Sequence, residues 1–355
     1  MEAFIRGIGN ISPQFTYDNS MFLEDIRTHD ATFMKCVEPN YKEYIKPIQM
    51  RRMGRILKMG VTAAGICLRD AGIEMLDGII IGTGLGMMTD TEKFLKSMID
   101  NDEKFLTPTS FIQSTHNTIG AYIAVMLKCN KYNYTYVHDN LSFESALLDS
   151  MMCLEEEHER NILLGGVDEL TDNYYKITDR VGFWKKQAIG NLKMLEIGDK
   201  GSIPGEGSSF FLLTGKEDPN NYAKFSGVNT FYKPESINEV RDDIIKYLET
   251  KELTINDIDL IILGLNGDEE WDFVYRELQK DLFKDNVQSY YKHLCGEYYT
   301  SAAFASWLAA NILKRQIIPR AILLNKPEIK LPVKNILIYN HLRNINHSVI
   351  LLSAC

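Results

Sequence analysis

Ser301-Ala302-Ala303-Phe304-Ala305-Ser306-Trp307-Leu308-Ala309-Ala310-Asn311-Ile312-Leu313 carries no charged residue, and its side chains are small or apolar nearly all round. A helix that is apolar on every side is buried on every side. It therefore lies between two sheets and not on a surface. Residues 141–157 form a second helix, with Phe143, Ala146, Leu147, Met151 and Leu154 on one stripe at helical spacing. Short apolar runs around these helices read as buried strands: 77–82 running into Gly82-Thr83-Gly84, then 162–166, 259–264 and 321–324. Residues 336–339 and 348–352 read as a closing hairpin.

The elements repeat. A helix ending at Ala71-Gly72-Ile73 precedes the strand at 79–81, as a helical stretch at 242–250 precedes the strand at 260–263. The helix at 141–157 leads to 162–164, as 301–313 leads to 321–324. Alternating strands and helices in two similar halves, 1–225 and 226–355, predict a duplicated α/β architecture.

The chain has 355 residues, enough for a large core, and 45% hydrophobic with 25% charged residues argues against disorder. Asp plus Glu number 48 against 39 Lys plus Arg, a net charge of −9, which makes nucleic acid a poor partner. No apolar run is long enough to span a membrane, and Met1-Glu2-Ala3-Phe4-Ile5-Arg6 does not read as a signal peptide, so a cytoplasmic location is expected. The six cysteines (36, 67, 129, 153, 295 and 355) include no CxxC pair, so neither a zinc site nor a disulfide framework is expected. Gly82-Thr83-Gly84-Leu85-Gly86-Met87 lacks the third glycine of a dinucleotide fingerprint and reads as a tight turn. No cofactor and no metal are expected.

Several motifs, in order, resemble the β-ketoacyl synthases of the thiolase-like fold. They are Ile5–Pro13 as an opening strand and turn, Met53-Gly54-Arg55 with Asp70-Ala71-Gly72-Ile73, Gly82–Gly86, and Asn117 through Ala124. Then follow Leu164-Gly165-Gly166-Val167-Asp168-Glu169, Pro204-Gly205-Glu206-Gly207-Ser208, and Lys292 with Gly296 and Ser301-Ala302. The resemblance implies a five-layer αβαβα sandwich, a dimer, and acyl chains carried as thioesters on an acyl carrier protein. It also implies a cysteine nucleophile at a buried helix N-terminus, two histidines that stabilise an enolate, and a supporting lysine.

The catalytic positions of that family are replaced here. Counting back from Gly165-Gly166 without a gap puts the cysteine position at Asn140, and a carboxamide cannot form a thioester. Asp139 or Asn140 reads instead as an N-cap. Asn266 stands where the first histidine belongs, and Glu297 where the second does; Lys292 is retained. The late glycine loop falls at Asn340-His341-Leu342-Arg343-Asn344-Ile345, without glycine. Relatives that lose only the cysteine still decarboxylate malonyl groups. Glu297 would set negative charge beside a developing enolate, which opposes that step too.

Other candidates have plain structural readings. His293 could serve as a base but reads as a structural histidine, and Ser142 reads as a first-turn serine without a triad. His138 and Asp139, adjacent on an extended strand, would point opposite ways. Cys153 and Cys295 read as buried thiols, and Glu155–Arg160 as a solvated helix end.

The sequence thus resembles most a chain-length factor, the non-catalytic partner of an active ketosynthase in polyketide, aryl-polyene or fatty-acid-type synthesis. Whether it is an enzyme is left open. The rival readings are an active acyltransferase (a 3-oxoacyl-carrier-protein synthase) using Glu297, His293 and Lys292, and a homodimeric protein that binds carrier protein or lipid. The family resemblance places the interface at 133–137 and 108–120, where Phe111, Tyr134 and Tyr136 would shape the tunnel wall.

Overall fold

Alternation along the strands sorts the apolar residues into three cores. The computed structural model describes residues 2–30, 32–325 and 331–355. It runs β1 (Ala3–Ile11), α1 (Pro47–Met50), α2 (Arg55–Ala71), β2 (Gly78–Gly82), α3 (Met88–Asp100), α4 (Pro108–Gln113) and α5 (Thr118–Leu127). Next come β3 (Tyr132–Tyr136), α6 (Ser142–Glu156), β4 (Asn161–Asp168), α7 (Asp172–Arg180) and β5 (Gly207–Thr214). Then follow β6 (Lys224–Tyr232), α8 (Ile237–Glu249), β7 (Leu260–Leu263), α9 (Phe273–Lys280), β8 (Val287–Tyr290), α10 (Lys292–Cys295), α11 (Ser301–Arg315), β9 (Asn335–Leu342) and β10 (Asn346–Ser353).

The strand order is β3-β2-β4-β5-β1-β6-β10-β9-β7-β8. Read inward from either edge, the two halves match. β3, β2 and β4 are parallel, as are β8, β7 and β9. β5 and β10 each join their trio antiparallel. Only Ala3↔Phe225 and Phe4↔Lys224 pair β1 with β6, so the halves are stitched at one corner.

Successive residues point to opposite faces of a strand. Ile80, Leu164 and Phe211 from one half, and Ile262, Ile338 and Ile350 from the other, face a central core with α6 and α11. Ile79, Ile81, Leu163 and Leu212 face a second core with α2. Ile261, Leu263, Leu337 and Leu351 face a third with α8 and α9. This gives the five layers of the thiolase-like αβαβα sandwich. α11 is buried from Ser301 to Leu313, as its composition demands. Its polar groups turn inward: Ser306 Oγ donates to Ala302 O at 2.9 Å and Asn311 Nδ2 to Trp307 O at 3.0 Å. On the outer face α2 lies so close to β1 that a Cβ at Gly9 would stand 2.1 Å from Ala63 O. Gly72, in the left-handed region at φ 67°, ends that helix.

Two expectations change. Residues 321–324 are not a strand: Arg320–Ile322 form a 3-10 turn, with Leu323 making a lone bridge to Ser289. The strand that follows α11 is β9, so the repeat holds with a different partner. Asp139 does not continue β3; it sits in a turn at φ 45°.

Candidate functional site

Loops leaving the parallel strands of both halves converge on one cavity of about 230 Å³. Leu85 follows β2, Asp139 follows β3 and Glu169 follows β4; Asn266 follows β7, Glu297 follows β8, and His341 and Arg343 stand at the β9–β10 turn. The crevice beyond the carboxyl ends of parallel strands is where α/β sheets generally hold ligands. Tyr174, Phe183, Trp184, Trp271, Tyr298 and Tyr299 supply aromatic walls.

Asp168 fixes the geometry. Its buried carboxylate accepts from Thr83 Oγ1 (3.1 Å), Gly84 N and Leu85 N (2.9 Å each), Thr300 N (3.0 Å) and Thr300 Oγ1 (2.9 Å). One carboxylate thereby joins β4, the glycine turn and the N-terminus of α11, where the helix dipole favours an anion. Burial raises the Asp168 pKa, while these donors pull it down. Glu206, from the Gly-Glu-Gly motif, is likewise structural: Arg55 grips both its oxygens at 2.7 and 2.6 Å.

Lys292, Glu297 and Asn266 come together. Lys292 Nζ and Asn266 Nδ2 each donate to Glu297 Oε2 at 2.6 Å. The Lys292 side chain is 1% exposed and that of Glu297 11%. Asp272 holds the Asn266 turn by accepting from Asn266 N (3.2 Å) and Gly267 N (2.9 Å), and burial lifts its carboxyl to about 6.

Asn140 lies outside this group. It is 2% exposed, does not line the cavity, and reaches Asn346 O at 3.4 Å. Neither Asp139 nor Asn140 caps α6. Leu141 holds the cap position, and Ser142 Oγ closes the turn by accepting from His138 N (2.8 Å) and donating to Asp139 O (2.7 Å). Asp139, one residue earlier, is the one on the cavity wall.

His293 is no base for this cavity. It is fully buried, stacks on Tyr290 at 3.9 Å, and burial pushes its pKa down to about 3. No cysteine lines the cavity among the described residues. Cys36, Cys67, Cys153 and Cys295 are buried, with thiol pKa values raised by desolvation. Among the described residues no group of His, Cys, Asp and Glu could hold a metal ion, and no helix is long and apolar enough to cross a membrane.

Phe111, Tyr134 and Tyr136 lie away from the cavity. Tyr132, Tyr134 and Tyr136 form a ladder on one face of the edge strand β3, with ring centroids 6.3 and 4.9 Å apart. Phe111 is exposed on α4 and touches Phe94. Sequence reasoning missed Trp184 and Trp271, which belong to no motif; their only signal was that tryptophan is rare in this chain.

Residues 28–199 match the family model of the β-ketoacyl synthase N-terminal domain. Three solved structures align over 100% of this chain and 99% of their own. They are the ishigamide ketosynthase/chain length factor (17% identity, TM-score 0.79) and a β-ketoacyl synthase from Burkholderia phymatum STM815 (13%, 0.80). The third is a type II polyketide synthase acyl-carrier protein in complex with its ketosynthase bound to the hexaketide (14%, 0.72). The chain shares the thiolase-like fold of these structures, and residues 28–199 are similar to the β-ketoacyl synthase N-terminal domain. No curated protein sequence matches it.

Proposed function

We propose that this chain has no acyl-transfer chemistry of its own and serves as the chain-length-factor partner of an active ketosynthase. The observation that carries this reading is the cavity wall: it offers no thiol, and the carboxylate at its back, Glu297, is tied to Lys292 and Asn266. A nucleophile needs a free lone pair and a base to activate it. A carboxylate there also opposes an enolate, so decarboxylation is disfavoured with condensation. Burial of His293 weighs against the rival acyltransferase reading.

The partner would pair with the open edge of β3 and the neighbouring segment 108–120. Tyr134 and Phe111 are exposed there at 51% and 57%, and an unpaired strand edge is a ready template for a second sheet. With Tyr136 they would form part of the partner's acyl tunnel wall, their volume limiting chain length. Carrier protein would then deliver acyl groups to the partner, in the cytoplasm. In this reading the chain divides into two halves, 1–225 and 226–355.

Incubation of the isolated chain with acyl- and malonyl-carrier protein, read by intact mass, is expected to give no adduct and no loss of carbon dioxide. Co-expression with a Cys-His-His ketosynthase encoded beside it is expected to give a stable one-to-one complex. An acyl adduct on the isolated chain would overturn the reading.

A further inference from the structure

The turn between β9 and β10 closes one side of the cavity: Leu342, Arg343, Ile345 and Asn346 all stand on its wall. Ile345 N donates to Leu342 O at 2.9 Å, with Arg343 at φ 51° and Asn344 at φ 54° between them. A tight hairpin turn with both central residues left-handed suits Asn-Gly, and a bulky side chain there is strained. Three contacts hold the turn down. Lys233 N donates to Ile345 O at 2.7 Å, the Arg343 guanidinium lies 3.3 Å from the centre of the Phe183 ring, and Asn344 N donates to His341 Nδ1 at 3.2 Å.

The last of these contacts depends on a proton. A neutral imidazole has one acceptor nitrogen and an imidazolium has none. The closed turn therefore requires a neutral His341 with its proton on Nε2; a proton on Nδ1 would set two N–H groups against each other. The ring is held in that orientation by stacking on Tyr275 at 4.3 Å, whose hydroxyl accepts from His341 N at 2.9 Å. Its register partner across the hairpin is His347, with ring centroids 5.2 Å apart and Nδ1 2.8 Å from the Tyr339 hydroxyl. The titratable groups around His341 are thus Tyr275 of α9, Tyr339 of β9, His347 of β10 and Lys292 of α10. His347 and Lys292 both oppose a second proton on the ring. The carboxylates of the neighbouring elements are engaged elsewhere, Asp272 by the backbone amides of Asn266 and Gly267, and Glu297 by Lys292.

We infer that His341 is a proton-sensitive latch: neutral, it holds the β9–β10 turn against the cavity, and protonated, it releases the turn and opens that side. Once the turn is released the ring regains an ordinary imidazole pKa of about 6.5, so the ratio of open to closed grows about tenfold for each pH unit below that value. The latch holds or fails independently of any partner ketosynthase.

Trp184 reports on the turn, because it lines the cavity and meets Phe183 edge-on at 6.0 Å, whereas Trp307 is in the core. Acrylamide quenching of tryptophan fluorescence in the full chain, with Trp271→Phe as background, is followed from about pH 7.5 to about pH 5, and far-UV circular dichroism records the fold. The quenching constant should rise at least about twofold on acidification while the dichroism stays unchanged. His341→Asn keeps an acceptor for Asn344 N but binds no proton, and should abolish the rise. Asn344→Gly keeps the donating amide, loses a side-chain oxygen that has no partner, and relaxes the left-handed turn. It should move the midpoint of the rise down by about half a pH unit, and it decides the matter should His341→Asn fail to fold. No rise in the folded parent, a rise only where dichroism is lost, a rise that persists in folded His341→Asn, or a midpoint unmoved by Asn344→Gly would each overturn the proposal.

Discussion

Asn266 donates its side-chain amide to Glu297 Oε2 at 2.6 Å, across 31 residues of sequence and from the β7 loop to the β8 loop. The same oxygen receives the ammonium of Lys292. The two positions where the family resemblance expects histidines, and the lysine it expects to support them, are thus bonded to one another. The ammonium pairs with one carboxylate oxygen, and the amide fixes its orientation.

Lys292 depends on that contact. Its side chain is 1% exposed, so removing the counter-charge leaves a buried ammonium. Glu297→Gln should lower unfolding free energy by about 3–5 kcal/mol. The double variant Lys292→Met/Glu297→Leu should lose clearly less, because both charges leave together. Urea midpoints of the three proteins check this; equal losses for the single and the double variant would contradict it.

Restoring sulfur alone should not restore chemistry. Asn140 is 2% exposed and off the cavity wall. The thiol of Asn140→Cys would be buried beside α6 and held in its neutral form. Maleimide should label the exposed Cys355 at least about tenfold faster than the introduced thiol. Malonyl- or acyl-carrier protein should leave no adduct, as intact mass would show. Acylation at position 140 would mean that the side chain reaches substrate.

The layers were legible in the sequence because burial on both faces leaves a composition signature. Ser301–Leu313 could be placed at the centre from its lack of charge alone. The stripe on 141–157 and the apolar runs of β2, β4, β7, β9 and β10 follow from the same rule. Residues 321–324 misled because Ala-Ile-Leu-Leu satisfies a strand pattern equally well, while Pro319 before it starts a 3-10 turn. Backbone direction at single residues left no trace. Nothing in Val137-His138-Asp139-Asn140 marks Asp139 as the residue at φ 45° that turns Asn140 inward. The group Lys292–Glu297–Asn266 was legible as positions, but its bonding depends on loops that only the folded halves bring together.

Glu144, one turn into α6 from Asn140, is fully buried, with Ser348 Oγ donating to Oε1 at 2.8 Å. Burial raises its carboxyl from 4.5 to about 7. A raised acid costs stability as pH climbs from the unfolded value to the folded one, since the unfolded chain ionises first. Between pH 4.5 and 7 the native state should lose about 3 kcal/mol through this group. Glu144→Gln removes that loss. Its urea midpoint should rise relative to the parent across this window and run parallel above it.

His293 works in the opposite limb. Its pKa falls from 6.5 to about 3, so protons bind the unfolded chain first below pH 6.5. Stability present above that pH should be lost on acidification, by about 2 kcal/mol at pH 5 from this residue. His341 and His347 are displaced the same way. His293→Gln should therefore flatten the acid limb in part, losing close to one proton from the slope between pH 6 and 4. An unchanged slope would mean that the ring is protonated in the folded state.

The edge of β3 gives the test of assembly. Tyr132, Tyr134 and Tyr136 alternate onto one face, while Asn133 turns to the other, donating from Nδ2 to Gly120 O at 3.0 Å. Tyr136 packs against the central core, whereas Tyr134 is half exposed at the rim. Tyr134→Glu therefore adds charge at the rim without entering the core, and the monomer should fold with a melting temperature close to the parent's. Against a partner sheet the same charge would be desolvated without a counter-ion, which costs several kcal/mol, about a hundredfold or more in association. Sedimentation velocity should show the parent as a dimer, with itself or with a co-expressed ketosynthase, and the variant as a monomer. A folded variant that still dimerises with unchanged affinity would move the interface away from this edge.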